Sequence, residues 1–215
     1  MGWTSFDVVR WFKVRIKNKK IGHAGSLDPF ANGVLLICIA DATKNISGLM
    51  NLEKEYYGCI ELGIATDTMD VTGRIIHRDK SIKLDKTFIN ESAQVFLGKI
   101  SQIPPMYSAV KIDGRRLYNI AREGKTANRE PRSVEIFSLN VIKYKHPHIF
   151  FRVECSKGTY IRTLASDWAK KLGTIGYLKT LTRSRVGLFT LKTALEMNSA
   201  EDRPGTFSLK TQDVS

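Results

Sequence analysis

The sequence predicts one α+β domain, a mixed sheet with helices packed on it, and three observations carry that expectation. Segments in which every second residue is apolar interleave with segments of three- and four-residue apolar spacing, without the regular strand–helix–strand rhythm of a parallel fold. The 215 residues suit a single domain, and 42% apolar content is enough to bury a sizeable core. No internal repeat with a period of about 20–50 residues is visible.

Thr4 followed by Asp7 opens like a capping box, and Phe6, Val9, Lys13 and Ile16 continue an amphipathic helix with a basic polar face to Arg15. Residues 34–40 are an uninterrupted apolar run between Gly33 and Asp41, which reads as a buried strand. Tyr56, Gly58, Ile60, Leu62 and Ile64 alternate, predicting a second strand that enters the turn-rich segment 66–73. Residues 84–96 read as a helix capped by Gly98. Asp113-Gly114 predicts a hairpin turn after Val110-Lys111-Ile112, and residues 117–123 a short helix closed by Gly124. Together residues 101–132 are expected to protrude as an insertion. Two strands, 133–144 and 149–155, flank His146-Pro147-His148, and an amphipathic helix over 159–172 ends at Gly173. The polar residues 196–215 form a tail beyond a domain that spans 1–195.

The charge points to a polyanion. Lys and Arg number 34 against 21 Asp and Glu, a net +13. Residues 10–27 hold six bases and no acid, and residues 143–192 hold eleven bases against Glu154 and Asp167 alone. Phosphate is the natural counter-charge for such clusters. Between 51 and 98 eight acids outnumber six bases, so that stretch is expected to face away from the partner. Three widely spaced cysteines (Cys38, Cys59, Cys155) with no CxxC pair make neither a disulfide framework nor a zinc site, and fit a reducing cytoplasm. His146-Pro147-His148 lacks a cysteine or carboxylate at ligand spacing, so no metal is expected there. The longest apolar run is far short of a membrane span, and the N-terminus does not read as an export signal.

Chemistry concentrates in Gly22-His23-Ala24-Gly25-Ser26-Leu27-Asp28-Pro29-Phe30-Ala31-Asn32-Gly33, where three glycines and a proline surround one carboxylate. Such a loop can hold Asp28 in a fixed, partly dehydrated position, although taken alone an Asp-Pro among glycines is also an ordinary turn. Four further motifs follow in order. They are Lys54-Glu55-Tyr56 with Leu62-Gly63; Thr66-Asp67-Thr68-Met69-Asp70; Pro104-Pro105-Met106-Tyr107-Ser108-Ala109-Val110-Lys111; and Cys155-Ser156-Lys157-Gly158-Thr159-Tyr160-Ile161-Arg162-Thr163-Leu164. Together the five resemble the bacterial tRNA pseudouridine-55 synthase (TruB) family over residues 3–190.

The resemblance implies the pseudouridine synthase fold, a largely antiparallel sheet with flanking helices and a central active cleft. It implies cofactor-free isomerisation of the uridine at position 55 in the T-arm of tRNA. Asp28 matches the catalytic aspartate, and Arg162 the arginine paired with it. Tyr56 matches a tyrosine that stacks on the target uracil, with help in removing the C5 proton a second role open to it. His23 matches the histidine that fills the space left by the extracted base. Tyr160 and Leu178, the latter taken as helical, match further residues of the uracil pocket. A carboxylate near the ribose suits the reaction, as nucleophile or base, without deciding between attack at the sugar, attack at the base and proton abstraction from the sugar.

The insertion 101–132 corresponds to the family's clamp on the tRNA arm, with Lys111, Arg115, Arg116 and Arg122 to track phosphates. Lys19 and Lys20 extend the basic N-terminal segment toward the same partner. The protein is expected to work as a monomer in the cytoplasm, with the T-arm stem-loop as its RNA. Two departures stand out. The family's opening apolar strand and Lys-Pro-Gly turn have no counterpart before Trp3, and the residues after Leu195 are too few for the C-terminal RNA-binding module of longer relatives. A tRNA-folding chaperone and a guide-dependent rRNA pseudouridine synthase remain alternative readings at this point.

Overall fold

A computed structural model describes residues 3–79 and 83–197. Met1, Gly2 and nearly all of the expected tail lie outside the described residues. Helix α1, Ser5–Arg15, starts as its sequence requires: Thr4 Oγ1 accepts from the Asp7 amide at 3.2 Å, while the Asp7 carboxylate accepts from the Thr4 amide at 2.9 Å. The Ser5 hydroxyl also accepts from the Leu27 amide at 2.9 Å, tying the helix start to the Asp28 loop.

Residues 34–40 are not one buried strand. The short β2 (Asn32–Gly33) precedes the segment, which yields only β3 (Leu36–Ile39), and within 34–40 only Val34 and Cys38 are buried. The reason lies in the partner: β3 pairs antiparallel with β1 (Ile21–Ala24) in a separate two-stranded ribbon, so its second face stays half open. Strand β1 thus occupies the first part of what the sequence suggests is all loop. A 3-10 turn, Ala40–Asn45, leads into α2, Ile46–Asn51, neither of which the sequence signals.

Strand β4 (Lys54–Leu62) follows, then the small hairpin β5 (Ile64–Thr66) and β6 (Ile75–Arg78). Helix α3 is Lys86–Gln94, shorter than expected, because Asp85 caps it through the amides of Thr87 and Phe88. Gly98, expected to close this helix, instead begins β7 (Gly98–Gln102) in a left-handed conformation, φ 78°. The insertion contains the hairpin β8 (Lys111–Ile112) and β9 (Arg115–Arg116), turned by Asp113 and Gly114 at φ 50° and 77°, and helix α4, Leu117–Arg122. Strands β10 (Arg132–Lys145) and β11 (His148–Cys155) precede helix α5, Ile161–Lys171.

Residues 176–186 correct the expectation of a helix around Leu178. They form β12 (Gly176–Val186), closed by the short β13 (Phe189–Thr190). Irregularities in its pairing with β4, between Leu178 and Thr180 and between Arg183 and Arg185, interrupt the two-residue alternation that would otherwise mark a strand. The main sheet runs β13-β12-β4-β11-β10-β7, antiparallel throughout, with β2 added parallel to β12. The fold is therefore α+β with a largely antiparallel sheet, as expected.

One face of this sheet carries the core. Tyr56, Ile60 and Leu62 of β4, Phe151 and Val153 of β11 and Leu178 and Leu181 of β12 pack with Leu164, Trp168 and Ala169 of α5. Trp168 is fully buried, meets Phe151 edge-on at 5.8 Å between ring centroids, and donates from Nε1 to Ser92 Oγ at 2.7 Å. Gly176 lets β12 approach α5, since a Cβ there would fall 2.8 Å from Ala169 Cβ. Replacing Trp168 by alanine should cost about 3–5 kcal/mol in equilibrium urea unfolding, because a large cavity opens where helix and sheet meet. A loss below about 1 kcal/mol would show that this contact is not central to the core.

Candidate active site

The site forms where α5 begins. Tyr160 caps the helix with an extended backbone, and Arg162, the second residue of its first turn, is only 4% exposed. On its own an arginine on a helix face would be a solvated charge, but this one points into the protein. Its guanidinium grips Asp28 with two parallel bonds, Nε to Oδ2 and Nη2 to Oδ1, each 2.9 Å. Nη2 also donates to the Tyr107 carbonyl at 2.9 Å and Nη1 to the Thr68 carbonyl at 3.2 Å. Nη1 further lies 3.5 Å from Asp70 Oδ2.

Asp70 was not singled out by the sequence, although it stands in one of the five motifs. It is 4% exposed, and its Oδ1 accepts from Thr68 Oγ1 (2.8 Å), the Thr72 amide (2.9 Å) and Thr72 Oγ1 (2.6 Å). The acid-rich stretch 51–98 nonetheless supplies both Tyr56 and Asp70 to the site, the Asp70 carboxylate being held locally by Thr68 and Thr72. The signal was a Thr-x-Asp-x-Thr pattern, in which two hydroxyls flank one carboxylate.

The Asp28 side chain keeps 32% exposure to solvent, with Arg162 closing its other side. Burial pushes its pKa above the ordinary 3.8; Arg162 opposes that shift, Asp70 adds to it and Arg183 opposes it. Tyr56 on β4 is 9% exposed, and burial pushes its phenol up to about 12, so at neutral pH it is a neutral ring with a hydroxyl and holds no phenolate. His23 on β1 is half-buried, and burial followed by the charge of Arg183 lowers its pKa, leaving a neutral imidazole. Its buried Nδ1 has no hydrogen-bond partner among the described residues.

Two expected pocket residues differ in kind. The Tyr160 backbone is held at both ends by Gln102, whose Oε1 accepts from the Tyr160 amide at 3.0 Å and whose Nε2 donates to its carbonyl at 3.3 Å. Leu178 is completely buried in the core, and its amide bonds the Met69 carbonyl at 3.0 Å beneath Asp70. It sits on strand β12 and not on a helix, with its side chain packed in the core. Lys19, Lys20, Lys111, Arg115, Arg116 and Arg122 are all exposed, with Arg115 and Lys125 sharing Glu123. A second arginine went unread in the sequence: Arg183 of β12, 1% exposed, lies between Tyr56 and the Asp28 loop. No helix among the described residues is long and apolar enough to cross a membrane.

The electrostatics make a direct prediction. Followed by NMR, the Asp28 carboxyl should titrate above 3.8, and Asp70→Asn should bring that titration down, since it removes a like charge and leaves Arg162 to Asp28 alone. An unchanged or higher value in the variant would contradict the assigned coupling.

The profile of the TruB family pseudouridylate synthase (N terminal domain) matches residues 13–161. The chain is 42% identical over 199 residues to the tRNA pseudouridine synthase B of Clostridium tetani (strain Massachusetts / E88), covering 93% of this chain and 69% of that protein. It is 44% identical over 197 residues to the enzyme of the same name from Geotalea uraniireducens (strain Rf4), covering 92% and 64%. A chain in the crystal structure of a Cbf5-Nop10-Gar1 complex superposes with a TM-score of 0.68 at 28% identity, covering 88% of this chain and 47% of that one. The chain thus spans roughly two thirds of the length of these curated relatives and about half of the solved one. By sequence along most of its length, and by fold, it belongs to the TruB family of pseudouridylate synthases.

Proposed function

We propose that this chain isomerises the T-loop uridine at position 55 of tRNA to pseudouridine, with Asp28 as the catalytic residue and without a cofactor. The observation that carries the reading is the buried, two-bond grip of Arg162 on a carboxylate that stays partly exposed to solvent. The reaction breaks the bond from C1′ to N1, turns the uracil, joins C1′ to C5, and exchanges the C5 proton for one at N1, so atoms balance with no redox step. Arg162 favours the ionised form of Asp28 against a burial that opposes it, the form in which the carboxylate acts as nucleophile or base.

The other side chains suit handling of an extracted base. Tyr56 offers a neutral aromatic face, and its raised pKa favours stacking over proton abstraction. His23, neutral and half-buried, is suited to fill a vacated place in an RNA stack. The exposed basic residues Lys111, Arg115, Arg116 and Arg122 of the insertion 101–132, with Lys19 and Lys20, supply the charge for phosphate contacts. Three buried free thiols suit a reducing compartment such as the cytoplasm. We read residues 1–195 as one catalytic domain acting as a monomer.

The test is C5-tritium release from an unmodified T-arm stem-loop. Wild-type protein should release tritium and form pseudouridine, whereas Asp28→Asn should bind the RNA and release none. Turnover by that variant at comparable stability would remove Asp28 from its role. Binding should also weaken with salt at a log–log slope of about −4 to −5, as about five neutralised phosphates require. A flat salt response would reject the clamp assigned to residues 101–132.

A further inference from the structure

We infer that Arg183 is a positioning residue for this reaction, stapling both ends of the Asp28 loop to the strand beside Tyr56. The inference rests on the proposed pseudouridine synthase activity. The side chain is 1% exposed, and its guanidinium spends its donors on main-chain carbonyls: Nε on Val34 (2.7 Å), Nη2 on Gly25 (3.1 Å) and Nη1 on Ser26 (3.2 Å). Gly25 and Ser26 precede Asp28, and Val34 follows it. One planar fork therefore spans the mouth of the loop, a geometry that a lysine ammonium cannot reproduce.

The backbone repeats the staple. The Arg183 carbonyl accepts from the Val34 amide at 2.8 Å, and Arg183 stands opposite Gly33 in the parallel pairing of β12 with β2. Gly33 has φ 117°, and a Cβ there would fall 2.1 Å from the Arg183 carbonyl oxygen, so the close approach needs glycine. Among the described residues no carboxylate forms an ion pair with Arg183. A buried cation held chiefly by carbonyl dipoles, with no carboxylate at ion-pair distance, is favourable only while the loop holds those carbonyls in place, which couples loop geometry to this one side chain.

Its charge acts on the same groups. Asp28 is faced by Arg162, Asp70 and Arg183; Tyr56 by Arg183, Cys155 and Asp28; His23 by Arg183. Removing the cation should make Asp28 harder to ionise, moving the acid limb of the rate profile to higher pH. A residue that merely supported the fold would leave that limb where it is.

Arg183→Met and Arg183→Lys separate the two effects. In single-turnover tritium release from a bound T-arm stem-loop, both should slow by about a hundredfold at unchanged RNA affinity, the cost typical of a small misplacement of the reacting group. Only the methionine variant should shift the acid limb upward. Hydrogen exchange across residues 25–34 should accelerate in both variants while β11 keeps its protection, a readout independent of turnover. Wild-type activity with undiminished rates in the variants would overturn the staple and leave the proposed function standing. Absence of wild-type release would overturn the function instead, and exchange would then decide the staple, unchanged protection rejecting it. If the methionine variant fails to fold, the lysine variant decides alone, a full rate with full protection being the contradicting result.

Discussion

Everything in the site depends on satisfying one buried cation. Arg162 brings a guanidinium out of water, and leaving such a charge unpaired costs several kcal/mol. Three segments distant from α5 in sequence supply its partners: the Asp28 loop, the Thr68–Asp70 turn and the Tyr107 carbonyl in the insertion. Each must be in place before the charge is compensated. Folding and assembly of the site are in that sense one event, and the insertion that is proposed to grip RNA is wired directly to the arginine that holds the carboxylate.

The arrangement also divides labour between two arginines. Arg162 grips Asp28 directly and favours its ionised form, while Arg183 binds the carbonyls that flank the Asp28 loop. Asp70 stands behind Arg162 and raises the pKa of Asp28, so the carboxylate is held between a cation that favours ionisation and an anion and a dry surrounding that oppose it. This tension is of the kind expected where a carboxylate must be reactive as well as stable. Tyr56 is kept neutral by the same dryness.

The parts of this design that were legible in the sequence are those encoded locally. The Thr4–Asp7 cap, the alternating β4, the Asp113-Gly114 turn and the stop at Gly173 each depend on neighbouring residues, and each stands in the structure. Motif order pointed to Asp28, Arg162 and Tyr56, which the structure brings together. Elements defined by distant pairing were not legible. The apolar run at 34–40 looks like a core strand until its partner is known to be a small ribbon. The irregular pairing of β12 hides a strand behind broken alternation, which misplaced Leu178 on a helix and left Arg183 unnoticed. Asp70 escaped because its hydrogen bonds are local while its purpose, facing Arg162 across 92 residues of chain, is not.

Under the proposed function, the two-bond grip of Arg162, and not merely its charge, prepares Asp28 for chemistry. The most direct measurement is the single-turnover rate of Arg162→Lys on a bound T-arm stem-loop, alongside its RNA affinity. A lysine keeps the cation but loses the fork, so the account predicts a rate lowered by about a hundredfold with affinity unchanged. A rate equal to that of the wild type would contradict it.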